Sequence, residues 1–160
     1  FCLSRGLGDV YKRQAERLCE ITYRSLLLAI EEVKPGAHLG DIGAAIQDYA
    51  EAERCSVVRD FCGHGVGKIF HDAPNVLHYG RRGEGAELKP GMIFTIEPMI
   101  NLGRPHVKVL SDGWTAVTRD RSLTAQYEHT VGVTDTGCEV FTFSPGGLDT
   151  PGIVLDPINL

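Results

Sequence analysis

Apolar residues recur at helical spacing between Ala15 and Val33, and this pattern predicts an amphipathic helix over that range. The apolar stripe is formed by Leu18, Ile21, Leu26 and Ala29. Lys34-Pro35-Gly36 follows directly, and proline both lacks a backbone donor and restricts the residue before it. We therefore expect the first helix to end at about Val33.

A second helix is predicted from Asp41 to about Arg54. Asp41 is the expected N-cap, because an aspartate side chain accepts hydrogen bonds from the free backbone amides of a first turn. The residues expected to face inward are Ile42, Ala45, Ile46 and Tyr49. The first part of the chain is therefore predicted to be helical.

After the second helix the pattern changes to short runs rich in β-branched and aromatic residues, which predict strands. One strand is expected to carry Glu97, since Leu88-Lys89-Pro90-Gly91 forms a tight turn before an apolar run. Further strands are predicted at Ser56–Arg59, Val107–Leu110, Trp114–Thr118, Ala125–Val133 and Glu139–Phe143. Two helices followed by several antiparallel strands give an α+β domain.

Both ends of the chain differ from its middle. Residues 1–14 show neither helical nor strand periodicity and no signal-peptide pattern, and we expect a non-native or disordered leader there. Residues 15–143 are expected to form the folded domain. Residues 144–160, which are rich in glycine, proline and aspartate, are expected to form a loosely ordered tail. On this interpretation, whatever preceded Ala15 in the parent protein is missing.

Charge and cysteine usage narrow the class of protein. The net charge of -5 argues against nucleic acid as the main partner, because phosphate binding needs a basic surface. The five cysteines are an odd number and contain no Cys-x-x-Cys pair, which is typical of reduced thiols in the cytosol. No apolar run approaches the roughly 20 residues that a membrane-spanning helix needs.

A glycine-rich stretch around His64 is the most informative part of the chain, and it reads Phe61-Cys62-Gly63-His64-Gly65-Val66-Gly67. A phosphate-binding loop is excluded, because the spacing is too short and Lys68 is followed by Ile69 instead of serine or threonine. The glycines remove side chains around His64, so that backbone and substrate approach it closely. The alternative is a histidine in a flexible turn.

Two glutamates lie within apolar strand sequences. Glu97 has apolar neighbours and is followed by Pro98. Glu128 directly precedes His129, and because side chains alternate along a strand, either Glu128 or His129 is expected to face water. A carboxylate removed from water is destabilising unless it is paired or bound to a metal. Together with His64, the glutamates form a nitrogen–oxygen donor set that suits borderline-to-hard divalent cations. The residues therefore predict a metal site and a hydrolase.

The other histidines are assigned less directly. His71 lies beside Phe70 and ahead of Pro74, and it is either a donor that faces the substrate or a histidine of a surface loop. The histidines expected at the surface or in hydrogen-bonded core positions are His38, His78, His106 and His129.

Four motifs taken together resemble the bacterial type I methionine aminopeptidases. They are residues 62–67, 95–101, 112–114 and 125–130, and they occur in the family's order. The resemblance extends over residues 15–143, which it identifies as a partial methionine aminopeptidase catalytic domain. It implies the C-terminal half to two-thirds of the α+β pita-bread fold, with two helices before a curved antiparallel sheet. It also implies removal of the initiator methionine when the second residue is small.

The resemblance implies a role for each matching residue. Glu128 is expected to bridge two divalent metal ions, which are cobalt, manganese, iron or zinc. His71 and Glu97 match catalytic residues, with His71 contacting the substrate carbonyl. Phe70 and Trp114 match residues that line the methionine pocket. The full set of metal ligands expected in this chain is His64, Glu97 and Glu128.

The chain departs from the family's pattern in one respect. The family's site also uses two aspartates from a strand pair and a further histidine, and no motif here matches them. Asp41, Asp48 and Asp60 fall on or beside the helices that follow that region. Three of five protein ligands predict weaker metal binding, and an inactive product is one expectation for this chain on its own.

Two other functions stay open. A proline-specific pita-bread peptidase usually carries another histidine shortly before the metal-binding one, and residues 57–63 contain none. A non-catalytic fragment is the second alternative, although intact His64, Glu97 and Glu128 favour an enzyme.

The resemblance also implies partners and a compartment. The expected partners are nascent polypeptides that begin with methionine, and association with the ribosome is left open. We expect a cytoplasmic monomer that binds neither nucleic acid nor a membrane.

Overall fold

The computed structural model describes residues 2–144 of the chain. Two helices come first, α1 at Cys2–Glu31 and α2 at Leu39–Ala52, and they pack against each other. Neither of these described helices is long and apolar enough to cross a membrane. The predicted tail at 144–160 lies outside the described residues apart from Ser144.

The first helix begins at Cys2, and its predicted start at Ala15 is therefore wrong. No proline interrupts the residues before Ala15, and helix propagation adds one hydrogen bond for each residue that it fixes. An ion pair between Lys12 Nζ and Glu16 Oε1 at 3.7 Å also spans the predicted boundary. The predicted leader is thus helical from Cys2 onward, and its non-native origin stays a prediction.

The predicted N-cap of α2 is also wrong, because His38 holds that position and Asp41 lies in the first turn. Asp41 Oδ2 instead accepts the backbone N–H of His38 at 2.6 Å, and this hydrogen bond lowers the pKa of Asp41. A carboxylate in the first turn satisfies a free amide as well as an N-cap does. The side chains predicted to face inward are buried or partly buried, namely Ile42, Ala45, Ile46 and Tyr49.

Ten short strands follow in the described residues, and all their pairings are antiparallel, which confirms the α+β prediction. One sheet has five strands in the order β10-β9-β4-β2-β3, a second has the order β1-β5-β8, and β6 and β7 form a pair. The strands are β1 Ser56–Val57, β2 Gly63–Gly65, β3 Asp72–Val76, β4 Ile93–Ile96, β5 Met99–Asn101, β6 Val107–Val109, β7 Ala116–Thr118, β8 Thr124–Gln126, β9 His129–Val133 and β10 Cys138–Val140.

Two of the predicted strands are each divided in two. The run that carries Glu97 forms β4 and β5, and the range Ala125–Val133 falls in β8 and β9. Because β4 pairs with β9 while β5 pairs with β8, the two breaks lie opposite each other between the two sheets. Pro98 lacks the N–H that a strand ladder needs, so the first break falls at Glu97 and Pro98, between β4 and β5.

Within the glycine-rich stretch, Gly63–Gly65 form strand β2 between β3 and β4, so the alternative of a histidine in a flexible turn is wrong. A side chain at Gly63 would meet the carbonyl oxygen of Thr95, and one at Gly65 would meet that of Ala73. Glycine is needed here because two strands approach β2 at once. The close backbone approach expected from the glycines is confirmed. The residues directly after His71, Asp72–Val76, form strand β3.

The hydrophobic core lies between the helices and the strands that flank Glu97. Helix α1 packs against β4, β5 and β8, and helix α2 packs against β1. Fully burying one such apolar side chain stabilises the fold by about 1.5–3 kcal/mol. The largest fully buried side chains include Leu26, Ile30, Ile42, Ile46, Phe94, Ile96 and Ile100. This packing fixes the backbone on both sides of Glu97.

Candidate functional site

A cavity of about 400 Å³ contains every residue that the sequence predicts for the site. It is lined by Phe61, Cys62, His64, Phe70, His71, Glu97, Met99, Trp114 and Glu128. The lining comes from residues more than sixty positions apart in the chain, so that only folding brings them together. The individual roles given to these residues above stay predictions.

The two glutamates lie at the junction between the two sheets. Glu97 directly follows β4 and Glu128 directly precedes β9. Ile96 pairs with His129 across these strands, and Met99 pairs with Gln126 on the other side of the junction. The two carboxylates are therefore held at the same level of neighbouring strands, and both line the cavity.

The ring of His64 is oriented by its own backbone. Its Nδ1 lies 3.0 Å from the carbonyl oxygen of Gly65, which only accepts hydrogen bonds, so Nδ1 carries the proton. Nε2 then holds the free lone pair, and it lies 3.8 Å from Glu97 Oε1. Ligand histidines in metal sites are commonly fixed in this way through their second nitrogen.

Glu97 is held by three neighbouring residues. Thr95 Oγ1 donates a hydrogen bond to Glu97 Oε1 at 2.8 Å, and Gln126 Nε2 lies 3.3 Å from Oε2. The backbone N–H of Glu97 donates to Nε2 of His78 at 3.1 Å. Both the carboxylate and the backbone of Glu97 are thereby fixed.

The charge state of Glu97 depends on its surroundings. Burial raises the pKa of its carboxyl group, the hydrogen bond from Thr95 opposes this, and the nearby charge of Glu128 raises the pKa again. Two neighbouring carboxylates, one of them partly buried, repel each other. A cation placed between them would remove that repulsion and would favour the ionised form of Glu97.

Glu128 and His129 point to opposite sides of their strand. His129 is buried, with Nδ1 2.8 Å from Thr142 Oγ1, whereas Glu128 is exposed. The sequence left open which of the two faces water, and it is Glu128. The argument that a buried carboxylate needs a metal therefore applies to Glu97 only. Glu128 is included in the proposed site because it lines the same cavity.

The rings of His64, Phe70 and His71 form an aromatic cluster. The ring centroids of His64 and His71 are 4.4 Å apart, those of Phe70 and His71 are 4.6 Å apart, and those of His64 and Phe70 are 5.3 Å apart. Phe70 is 66% exposed, so most of its apolar face is available for contact with another molecule. His71 is exposed beside it, where its ring can reach a bound peptide.

Trp114 approaches the cavity from the turn between β6 and β7. Asp112 Oδ1 accepts the backbone N–H of Trp114 at 3.0 Å and that of Thr115 at 2.9 Å, which shapes the turn. The Trp114 side chain is 89% exposed although it lines the cavity. An exposed indole beside a cavity is typical of a recognition surface.

The sequence did not indicate the residues that hold the Glu97 carboxylate, namely Thr95 and Gln126. Thr95 could have been found, because it lies two positions before Glu97 and so shares its strand face. His78, expected either at the surface or in a hydrogen-bonded core position, takes the core position, and its partner, the amide of Glu97, is set by the fold. Of the other histidines of that group, His129 is buried and hydrogen-bonded and His106 is exposed, as expected, whereas His38 is the partly buried N-cap residue of α2.

The donor set fits a divalent cation in its chemistry. His64 offers a free imidazole nitrogen, and Glu97 and Glu128 offer carboxylate oxygens whose mutual repulsion a cation would relieve. His64 and Glu97 form the close pair. Within residues 2–144, no three histidine, cysteine, aspartate or glutamate side chains are close enough to form a metal site by themselves.

Comparison with known proteins points in the same direction. The model of metallopeptidase family M24 matches residues 5–135. The methionine aminopeptidase of Rickettsia prowazekii is 56% identical over 147 residues, which are 91% of this chain and 56% of that protein. The methionine aminopeptidase of Escherichia coli strain K12 is 60% identical over 127 residues, which are 79% of this chain and 48% of that protein.

A solved structure agrees with the sequence relatives. The crystal structure of the Rickettsia prowazekii methionine aminopeptidase matches with a TM-score of 0.80, over 81% of this chain and 53% of that one. This likeness confirms the predicted pita-bread fold. The chain spans about half the length of the curated relatives it matches.

Proposed function

Because the chain belongs to metallopeptidase family M24, we propose that it is part of the catalytic domain of a methionine aminopeptidase. The reaction is hydrolytic removal of the initiator methionine from polypeptides whose second residue is small. Identity of 56% to the Rickettsia prowazekii enzyme over 91% of the chain supports this reading over a proline-specific peptidase. The single structural observation that carries it is the cavity shared by His64, His71, Glu97 and Glu128.

We propose a separate chemical role for each residue of the cavity. His64, Glu97 and Glu128 would hold two divalent metal ions, and Glu128 would serve as a ligand to both. When bound, such ions activate water and stabilise the negative charge that develops on the substrate. Glu97 also takes up the proton that the attacking water loses, and a carboxyl group whose pKa is raised by burial suits that task.

The remaining cavity residues bind the peptide. His71 donates a hydrogen bond to the substrate carbonyl oxygen, and its exposed ring beside His64 is placed for that contact. Phe70 and Trp114 line the pocket for the methionine side chain, to which they present exposed apolar faces. Met99 and Phe61 extend the same lining.

The metal, the partners and the compartment belong to this proposal. The donor atoms accept cobalt, manganese, iron or zinc, and availability decides among them. The substrates are nascent polypeptide N-termini that begin with methionine. The enzyme is a cytoplasmic monomer, and the ribosome is a further candidate partner. Two aspartates and a histidine from outside this chain's motifs complete the site, so that the chain alone is expected to be weakly active or inactive.

The test is release of methionine from Met-Ala-Ser by a protein of the relatives' full length that carries this segment. The expected result is cleavage of Met-Ala-Ser with added manganese or cobalt and no cleavage of an X-Pro peptide. Glu97→Gln should abolish turnover and leave the far-ultraviolet circular dichroism unchanged. Preferential cleavage of the X-Pro peptide would establish a proline-specific enzyme instead, and substantial turnover by Glu97→Gln would remove Glu97 from the site.

A further inference from the structure

One hydroxyl group connects two of the proposed metal ligands. Thr95 Oγ1 accepts the backbone N–H of His64 at 3.0 Å and donates its own hydrogen to Glu97 Oε1 at 2.8 Å. We propose that Thr95 is a positioning residue that fixes the Glu97 carboxylate relative to the His64 ring, an inference that rests on the proposed function. The side chain of Thr95 is only 1% exposed, so solvent water has no access to replace its hydroxyl.

The direction of this hydrogen-bond chain is fixed by its ends. An amide only donates and an ionised carboxylate only accepts, so the hydroxyl must accept from His64 and donate to Glu97. Hydrogen bonds in such a chain polarise and strengthen one another. The same Oε1 atom lies 3.8 Å from His64 Nε2, so Thr95 controls the distance between the two donor atoms.

The strand spacing does not depend on this hydroxyl. Strands β2 and β4 approach closely because position 63 is a glycine, where a side chain would meet the Thr95 carbonyl oxygen. Thr95 also belongs to the β4–β9 ladder through its backbone, opposite Thr130. Removing the hydroxyl should therefore leave the sheet in place and release only the Glu97 carboxylate.

Three variants of the full chain separate a positioning role from a structural one. Thr95→Val keeps the shape and removes the hydroxyl, Thr95→Ser keeps the hydroxyl, and Glu97→Gln removes the ligand itself. Each protein is titrated with cobalt, followed by visible absorption and by quenching of Trp114, the chain's one tryptophan. Loss of an outer partner of a ligand typically weakens metal binding by about 10- to 100-fold.

We expect Thr95→Val to bind cobalt at least about 10-fold more weakly than the unchanged chain, and Thr95→Ser to restore most of the affinity. Equal affinity of Thr95→Val and the unchanged chain, with Glu97→Gln impaired, would overturn the inference. Circular dichroism checks folding of each variant. Should Thr95→Val fail to fold, Thr95→Ala removes the hydroxyl without the branched side chain and takes its place.

A metal-free measurement decides the inference even if the proposed function fails. In the absence of metal, the His64 amide should exchange its hydrogen about 10-fold faster in Thr95→Val than in Thr95→Ser, because its acceptor is gone. Equal exchange in the two variants would contradict the hydrogen-bond chain. Cobalt binding that is the same in the unchanged chain and Glu97→Gln would count against the proposed metal site alone.

Discussion

At the scale of single residues, the site depends on fixed proton positions. The Gly65 carbonyl oxygen keeps the proton of His64 on Nδ1, and the Glu97 amide uses the lone pair on Nε2 of His78. Each ring therefore has a defined tautomer, which backbone groups impose.

His71 is the residue whose replacement separates chemistry from metal binding. It lies beside His64 but is assigned to the substrate carbonyl, so His71→Ala should lower turnover of Met-Ala-Ser by about 10²- to 10³-fold. Metal content, measured by elemental analysis, should stay the same. The measurement belongs on a protein of the relatives' full length. Unchanged kinetics, or a parallel loss of metal, would remove His71 from the role proposed for it.

His78 predicts a pH dependence of folding stability. Burial lowers its pKa from 6.5 to about 4. Below about pH 6.5, His78 binds a proton in the unfolded chain but stays neutral in the folded chain. Its contribution to the free energy of unfolding therefore declines between pH 6.5 and 4. The full decline is at most about 3 kcal/mol. Above pH 6.5 the contribution is constant.

The matched variant is His78→Gln, which keeps an acceptor for the Glu97 amide but has no proton to exchange. Urea unfolding at several pH values should show a shallower decline for His78→Gln than for the unchanged chain between pH 6.5 and 4. Identical slopes would show that His78 is protonated or accessible in the folded state, against the buried position seen here.

At the scale of helices and strands, the sequence predicted the kinds of elements and missed where they divide. Apolar residues continue on both sides of Glu97 and of Glu128, so hydrophobic periodicity does not mark the change from one sheet to the other. Pro98 was visible as a stop, but the opposing break at Tyr127 follows only from strand register. Likewise, the glycines left a flexible turn open as an alternative at Gly63–Gly65, because the neighbours that require glycine come from distant strands.

Strand β2 offers a sharp test at this scale. In Gly65→Ala the new side chain would meet the carbonyl oxygen of Ala73, whereas in Gly67→Ala it would come no closer than 3.8 Å to Asp72 Oδ2. We expect Gly65→Ala to lower the free energy of unfolding by about 1–3 kcal/mol, as overpacking does, and to weaken cobalt binding. Gly67→Ala should change both by little. Equal effects of the two variants in urea unfolding would contradict the strand pairing around His64.

At the scale of the whole molecule, the site draws on strands that do not otherwise form one sheet. His64 comes from β2, the glutamates lie where the five-stranded and three-stranded sheets meet, and Trp114 comes from the turn between β6 and β7. Residue types alone predicted the donors, because a nitrogen–oxygen set inside apolar runs is unusual. That these donors line one cavity depends on pairing between strands that are distant in the sequence, and hydrophobic periodicity does not predict such pairing.

A cation bound at this junction would link two sheets, and the linkage predicts a change in stability of the whole chain. A ligand that binds only the folded state at 100 times its dissociation constant stabilises that state by about 2.7 kcal/mol. Cobalt or manganese should therefore raise the thermal midpoint of unfolding of the metal-free chain, and a chelator should reverse the rise. Glu97→Gln should remove the response, whereas Glu139→Gln, an exposed glutamate of β10 outside the cavity lining, should retain it. A midpoint that metal leaves unchanged, or that shifts equally in both variants, would show that His64 and Glu97 do not form a cation site in this chain.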